Sequence, residues 1–182
     1  MRCCIRAVAA YNEVHLSLHM PHEGYAFNFT VDDSMSPDWG LAQAQICEID
    51  EDIIGNTVKI LIFYDHLTDS SRMLPSELVE KLHKELAQIA NVYTMDQGRT
   101  IQVSGLEAGK LNAIEYVRQH LGLSTEEVAV FGDDLNDLEM ISHYPNSVAM
   151  GNAVEVVKAA SGYVTHSNDE DGVAYALREF LK

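Results

Sequence analysis

Basic residues are scarce: 12 Lys and Arg stand against 28 Asp and Glu in 182 residues, a formal charge of −16. That imbalance excludes a surface made to hold nucleic acid or an anionic membrane, which would repel it, and the few cations are scattered. Such acidity still suits a protein that collects a divalent cation. Cysteine is also thin. Cys3, Cys4 and Cys47 cannot form an even set of bridges, and adjacent Cys3 and Cys4 have neither zinc-ligand spacing nor easy bridging geometry. A reducing, cytoplasmic setting is the expectation. No apolar run approaches the roughly 18 residues of a membrane helix, and Arg6 interrupts the N-terminal apolar stretch, so neither a membrane span nor a secretion signal is read. Repeats and low-complexity tracts are missing too.

What is there suffices for one substantial core or two small ones, with 47% of residues hydrophobic. Val14, Leu16, Leu18 and Met20 alternate with His15, Ser17 and His19. Tyr25, Phe27, Phe29 and Val31 then alternate with Ala26, Asn28 and Thr30, and Pro21 and Gly24 lie between the two arms. Period two on both arms predicts a β-hairpin with one buried face, which leaves His15, His19 and His22 at solvent-exposed positions. His15 and His19 are about 13 Å apart at ~3.3 Å per residue, too far to share one ion. A polar stretch from Asp32 to Gly40, a possible short helix and a strand over Val58–Phe63 follow. Pro75 suits a first helical position for a helix over 75–90, with Leu78, Leu82, Leu86 and Ile89 as its apolar stripe, and Thr100–Val103 is a short strand. Residues 1–103 are thus expected to form an α+β unit with an antiparallel sheet.

From 104 to 182 the rhythm becomes that of a parallel α/β sheet, with the boundary at Ser104 to Gly109. Leu111, Ile114, Val117 and Leu121 form a helical stripe closed by Gly122, and Ser124 with Glu127 carries a capping-box signature. Val128–Phe131 is expected to be a buried strand. Ser147–Met150 and Tyr163–Thr165 are two more, separated by the helix Val154–Ala160, and Gly172–Leu181 closes the chain as a helix.

The strongest chemical signal is the strand running into Gly132-Asp133-Asp134-Leu135-Asn136-Asp137. Acids at the C-terminal end of a strand lie where open α/β sheets bind ligands, and hard oxygen donors suit Mg²⁺, which commonly takes one or two carboxylates plus phosphate oxygens and water. The plainer alternative is an acidic turn in which Asn136 or Asp137 caps the next helix.

That segment resembles the fourth motif of the haloacid-dehalogenase-type (HAD) phosphatases. Ala149-Met150-Gly151-Asn152-Ala153 and Val164-Thr165-His166-Ser167-Asn168-Asp169-Glu170-Asp171-Gly172-Val173 are similar to the tail of their cap-bearing Cof-type (subfamily IIB-like) members. Lys110, 23 residues before Asp133, matches the third-motif lysine. The resemblance implies an α/β fold class: the C-terminal part of a HAD-like Rossmannoid parallel sheet (104–182), preceded by an α+β cap domain (1–103). It implies a Mg²⁺-dependent phosphomonoester hydrolase acting on small phosphorylated metabolites such as sugar phosphates. Asp133 would be a catalytic residue and Mg²⁺ ligand, Asp137 a direct or water-mediated second carboxylate, and Asn136 a contact to the substrate phosphate. Lys110 would act in catalysis by pairing with that phosphate and with the nucleophilic aspartate.

The family's first motif, Asp-x-Asp-x-Thr, does not occur here, nor is a second-motif Ser or Thr identifiable. Asp65 lies in the nearest match, Leu61–Thr68, but Leu67 stands where the second Asp is required. Asp169-Glu170-Asp171-Gly172 mimics the motif while capping the last helix. The chain is therefore expected to be an inactive or incomplete piece of a phosphatase, the alternative being a non-catalytic module that binds Mg²⁺, phosphate or a protein partner. Without the first-motif strand the sheet is expected to expose the edge of Val128–Phe131, open to self-association or to the missing segment.

Overall fold

The computed structural model describes residues 1–22, 24–31, 45–64 and 72–180. Asp65 and the motif-like run to Thr68 lie outside the described residues, as does the polar stretch over 32–40. The chain divides into two compact units, Met1–Leu106 and Glu107–Lys182.

Among the described residues of the first unit six strands lie in the order β3-β2-β1-β4-β6-β5. They are β1 (Val14–Met20), β2 (Gly24–Phe27), β3 (Gln45–Cys47), β4 (Lys59–Tyr64), β5 (Asn91–Met95) and β6 (Thr100–Ser104). β1 pairs antiparallel with β2, Ser17 opposite Phe27 and His19 opposite Tyr25, so the expected hairpin forms with a shorter second arm. β4 runs antiparallel to both β1 and β6, and among the described residues only β3 joins in parallel, alongside β2.

Alternation then sorts the side chains. Leu16, Leu18, Ile60, Ile62, Ile101 and Val103 point to one face and are buried. Helices α1 (Arg2–Val8) and α3 (Ser76–Leu86) contribute Cys4, Ala7, Val8, Leu78, Leu82 and Leu86 to the same core, with α2 (Glu51–Asn56) adding Ile53 at its margin. All three cysteines are free thiols, and burial pushes the Cys4 thiol up to about 12. The expected fourth member of the α3 stripe, Ile89, is 66% exposed. The helix ends at Leu86, and the turn in which Ile89 N–H donates to the Leu86 carbonyl carries its side chain away from the core.

The opposite face of the sheet carries aromatic rings. His15 lies 4.3 Å from Phe29, His19 meets Tyr25 edge-on at 4.8 Å, and Phe27 packs on Phe29 at 5.2 Å, all centroid distances. The two histidines are consequently half-buried among rings rather than solvent-exposed as the alternation alone suggested. His22, at a φ of 61°, is exposed in the turn.

The second unit holds a parallel sheet in the order β7-β8-β9, comprising β7 (Ala129–Gly132), β8 (Asn146–Ala149) and β9 (Tyr163–Val164). Helices α4 (Lys110–Leu121), α5 (Leu138–His143), α6 (Glu155–Ala160) and α7 (Gly172–Phe180) accompany it. Val130, Met140, Ile141, Tyr144, Ala149 and Val157 form the core. Two sequence expectations fail here for one reason, the small extent of this sheet. β7 pairs only with β8 among the described residues, so Ala129 is exposed and Phe131 half-buried instead of the whole strand being enclosed. On α4, Leu111 and Ile114 pack against the core, but Val117 and Leu121 are 53% and 63% exposed.

Candidate active site

Gly132 ends β7, and the chain turns at once into a single 3₁₀ turn, Leu135–Asp137, that leads into α5. The turn is held by a reciprocal cap. Asp134 Oδ1 accepts from the Leu135 N–H at 2.7 Å, while Asp137 Oδ2 accepts from the N–H groups of Asp133 at 2.9 Å and Asp134 at 3.4 Å. Asp134 therefore caps the 3₁₀ turn, with Asp137 reciprocating from its third position, while Asp137 also stands at the N-cap of α5, one of the two residues the plainer sequence reading named, without a side-chain capping bond to that helix.

Asp137 is the buried member of the cluster, its side chain 3% exposed. A carboxylate so removed from water needs compensation, and its second oxygen, Oδ1, finds it in the Lys110 ammonium. Lys110 opens α4, where a cation meets the positive end of the helix dipole at a small cost. The ion pair offsets that cost and ties α4 to the end of β7. Lys110 itself remains half exposed, so one side of its ammonium faces outward.

Close approach of the backbone makes the arrangement possible. A Cβ on Gly132 would lie 2.5 Å from Asp137 Cβ, so only glycine lets the Asp137 side chain fold back under the strand end. Farther on, a Cβ on Gly172 would lie 2.1 Å from the His166 carbonyl oxygen, which packs the start of α7 against the segment after β9.

Asp133 presents an exposed carboxylate, with Oδ2 accepting from Asn152 Nδ2 at 3.1 Å. Asn152 in turn accepts from the Asn168 N–H at 3.0 Å, so the loops after β7, β8 and β9 are linked through one carboxamide. The role of Asn152 was not legible in the sequence, since a Gly-Asn pair after a strand signals only a turn. Asn136 is the half-buried middle residue of the turn, and its side chain makes no hydrogen bond among the described residues. The structure thus brings Lys110, Asp133, Asn136 and Asp137 to one strand end. The motif-like Asp169–Gly172 instead runs from a separate 3₁₀ turn, Asn168–Glu170, capped by Ser167 and Glu170, into the first residue of α7.

Hard oxygen donors at this strand end suit Mg²⁺ in kind. Asp133 has the open carboxylate, whereas both oxygens of Asp137 already accept hydrogen bonds. Among the described residues no group of three or more His, Cys, Asp or Glu is placed to hold a metal.

Behind the site, Glu115 of α4 gathers two N–H groups of Arg118 at 2.9 and 2.7 Å and the Tyr144 hydroxyl at 2.6 Å. The Arg118 guanidinium and then the Tyr144 hydroxyl hold the Glu115 carboxyl down to about 2. Burial, followed by the Glu115 carboxylate, raises Tyr144. This network fixes α4, and with it Lys110, against the residue that ends α5.

A family model described as haloacid dehalogenase-like hydrolase matches residues 5–177. The 5-amino-6-(5-phospho-D-ribitylamino)uracil phosphatase YcsE of Bacillus subtilis (strain 168) is 40% identical over 108 residues, covering 58% of this chain and 41% of that protein. Among solved structures, a haloacid dehalogenase-like hydrolase from Bacteroides thetaiotaomicron is 25% identical, with a TM-score of 0.69 over 99% of this chain and 65% of that one. A HAD subclass IIB sugar phosphatase shares the fold at 21% identity, with a TM-score of 0.72 over 97% of this chain and 64% of its own. The chain thus spans less than two thirds of these proteins' lengths. With the match running over nearly all of its residues, and the strand-end aspartates and helix-start lysine standing together as described, the chain belongs to the haloacid dehalogenase-like hydrolase family.

Proposed function

We propose that this chain is the C-terminal part of a Mg²⁺-dependent phosphomonoester hydrolase, with Met1–Leu106 as its cap and Glu107–Lys182 as part of its core. The observation that carries this is the buried Asp137, locked between the Lys110 ammonium and the backbone of Asp133 and Asp134. Such a lock presents an ammonium, an amide and a carboxylate at one strand end, a set suited to a phosphate. Phosphoryl transfer asks the protein chiefly for charge neutralisation and positioning.

In this proposal Lys110 turns its outward side to the phosphate, Asn136 donates its amide to a phosphate oxygen, and Asn152 holds Asp133 in place. Mg²⁺ would be held by Asp133, with Asp137 reached through water because its own oxygens are taken, and when bound it neutralises charge on the transferring group. Small phosphorylated metabolites, sugar phosphates among them, are the substrate class. The names of the relatives support it, one acting on a phosphoribityl compound and one on sugar phosphates.

No residue among these four is a positioned nucleophile. Turnover should therefore be negligible with residues 1–182 alone and appear when a segment bearing Asp-x-Asp-x-Thr is supplied. The assay is phosphate release from a panel of sugar phosphates and an aryl phosphate, with and without that segment. Robust Mg²⁺-dependent turnover by the chain alone, abolished by Asp65→Asn, would refute it. The engagement of both Asp137 oxygens in hydrogen bonds favours a second reading, a non-catalytic module that binds phosphate or a protein. Absence of turnover even with the segment present, together with phosphate-induced shifts at Lys110, would select it.

A further inference from the structure

The ring-bearing face of the six-stranded sheet has a composition unlike the rest of the chain. Of 28 Asp and Glu, none occupies a position in β1–β6, and Lys59 is the one Lys or Arg there. Strand pairing sets Tyr25, His19, Lys59 and Ser104 side by side in a row across four strands. Lys59 is half-buried and makes no ion pair among the described residues. A partly desolvated ammonium without a counter-ion is unfavourable, and a chain this acidic had ample means to supply one. Its isolation suits an anion brought from outside.

The neighbours of Lys59 suit a flat ring. Burial, and then Lys59, lowers His19 to about 4, so at neutral pH its imidazole is uncharged and behaves as a polar ring. Ser17 Oγ lies 3.0 Å from His19 Nε2 and holds that ring in place. Tyr25 stands edge-on to it, with Phe27 stacked beyond at 6.3 Å. Aromatic edges and faces so placed favour stacking or edge contact with another planar ring. From Tyr25 to Lys59 is two strand spacings, about 10 Å at ~4.8 Å each, the reach of a small aryl or heterocyclic phosphate.

We propose that this face binds a small molecule that carries both a planar ring and an anionic group, with the ring at Tyr25 and His19 and the anion at Lys59. The site needs binding only, and it stands or falls independently of the hydrolase reading and of Lys110.

The test is amide and side-chain NMR of the full chain with EDTA present, titrated with phenyl phosphate, glucose 6-phosphate or inorganic phosphate. Phenyl phosphate should shift Tyr25, His19 and Lys59 saturably. Both Lys59→Gln and Tyr25→Leu should weaken that binding about tenfold or more, roughly 1.4 kcal/mol, while retaining dispersed spectra. In Lys110→Ala, which removes the phosphate contact proposed for the second unit, the shifts at Tyr25, His19 and Lys59 should persist. Equal shifts with glucose 6-phosphate would overturn the ring requirement, and loss of binding in Lys110→Ala would place the ligand elsewhere. Shifts of the same residues on dilution without ligand would assign the face to a second copy of the chain. Absence of any shift at these residues with phenyl phosphate would end the proposal.

Discussion

Replacing Asp137 with alanine removes the carboxylate around which the acidic turn is built. In the folded chain it accepts from the Asp133 N–H at 2.9 Å, from the Asp134 N–H at 3.4 Å and from Lys110. A hydrogen bond to a charged acceptor contributes about 1.5–3 kcal/mol, and the longer contact with Asp134 belongs below that range. Lys110 is half exposed and can turn to water, so its pairing adds no more than about 1 kcal/mol. The expected loss is thus about 3 kcal/mol, a large part of the ~5–15 kcal/mol that stabilises a typical domain. Asp137→Asn keeps one accepting oxygen and should lose about half as much. Hydrogen exchange at the amides of Asp133 and Asp134 reads the effect directly. Exchange about a hundredfold faster in Asp137→Ala is expected at these two positions, at 1.36 kcal/mol per tenfold. If protection there is unchanged and stability falls by less than ~1 kcal/mol, Asp137 is not the anchor of the turn, and its carboxylate is free to bind Mg²⁺ directly.

Gly132→Ala should destabilise the second unit by ~1–3 kcal/mol or more, because the new Cβ meets Asp137 Cβ near the backbone, where nothing flexible can yield, and thermal unfolding will show it. Glu115 has its folded-state value lowered, so the stability it contributes is present above the ordinary carboxylate range and is lost as pH falls toward about 2. The midpoint of thermal unfolding followed from pH 5 to pH 2 should therefore drop less steeply in Glu115→Gln than in the parent. β7, with one side unpaired among the described residues, should drive dimerisation or aggregation, or take up a supplied strand, in light scattering with hydrogen exchange. A monodisperse monomer with strongly protected amides throughout 129–132 would contradict that.

Local pattern was enough for much of this molecule. Alternating His15, Leu16, Ser17, Leu18 and His19 specify a strand whatever surrounds them, because successive side chains must leave on opposite faces. The same holds for the Leu78–Leu82–Leu86 stripe, and for the apolar strand that delivers Asp133 to a sheet's C-terminal end. The α/β character of 104–182 was legible from periodicity, whereas the grouping of Lys110 with Asp133, Asn136 and Asp137 was implied by the family resemblance alone, because a lone lysine at a helix start otherwise signals solvated surface.

Tertiary structure decided what pattern could not. Strand β5 (Asn91–Met95) went unread because every one of its residues is half-buried at a sheet edge, which erases the contrast between faces. The apolar stripe of α4 is real in sequence, yet Val117 and Leu121 are exposed, since burial depends on how wide a sheet lies beneath the helix. Two equivalent-looking acids, Asp133 and Asp137, acquired opposite roles through a contact distant in sequence. Gly132 let one fold inward to Lys110, and Asn152 held the other at the surface. The polar positions of β1 likewise became a ring-lined surface only when β2 and β4 placed Tyr25, Phe27 and Phe63 around them, because the sequence sets which side chains share a strand face and pairing register sets which neighbours they meet.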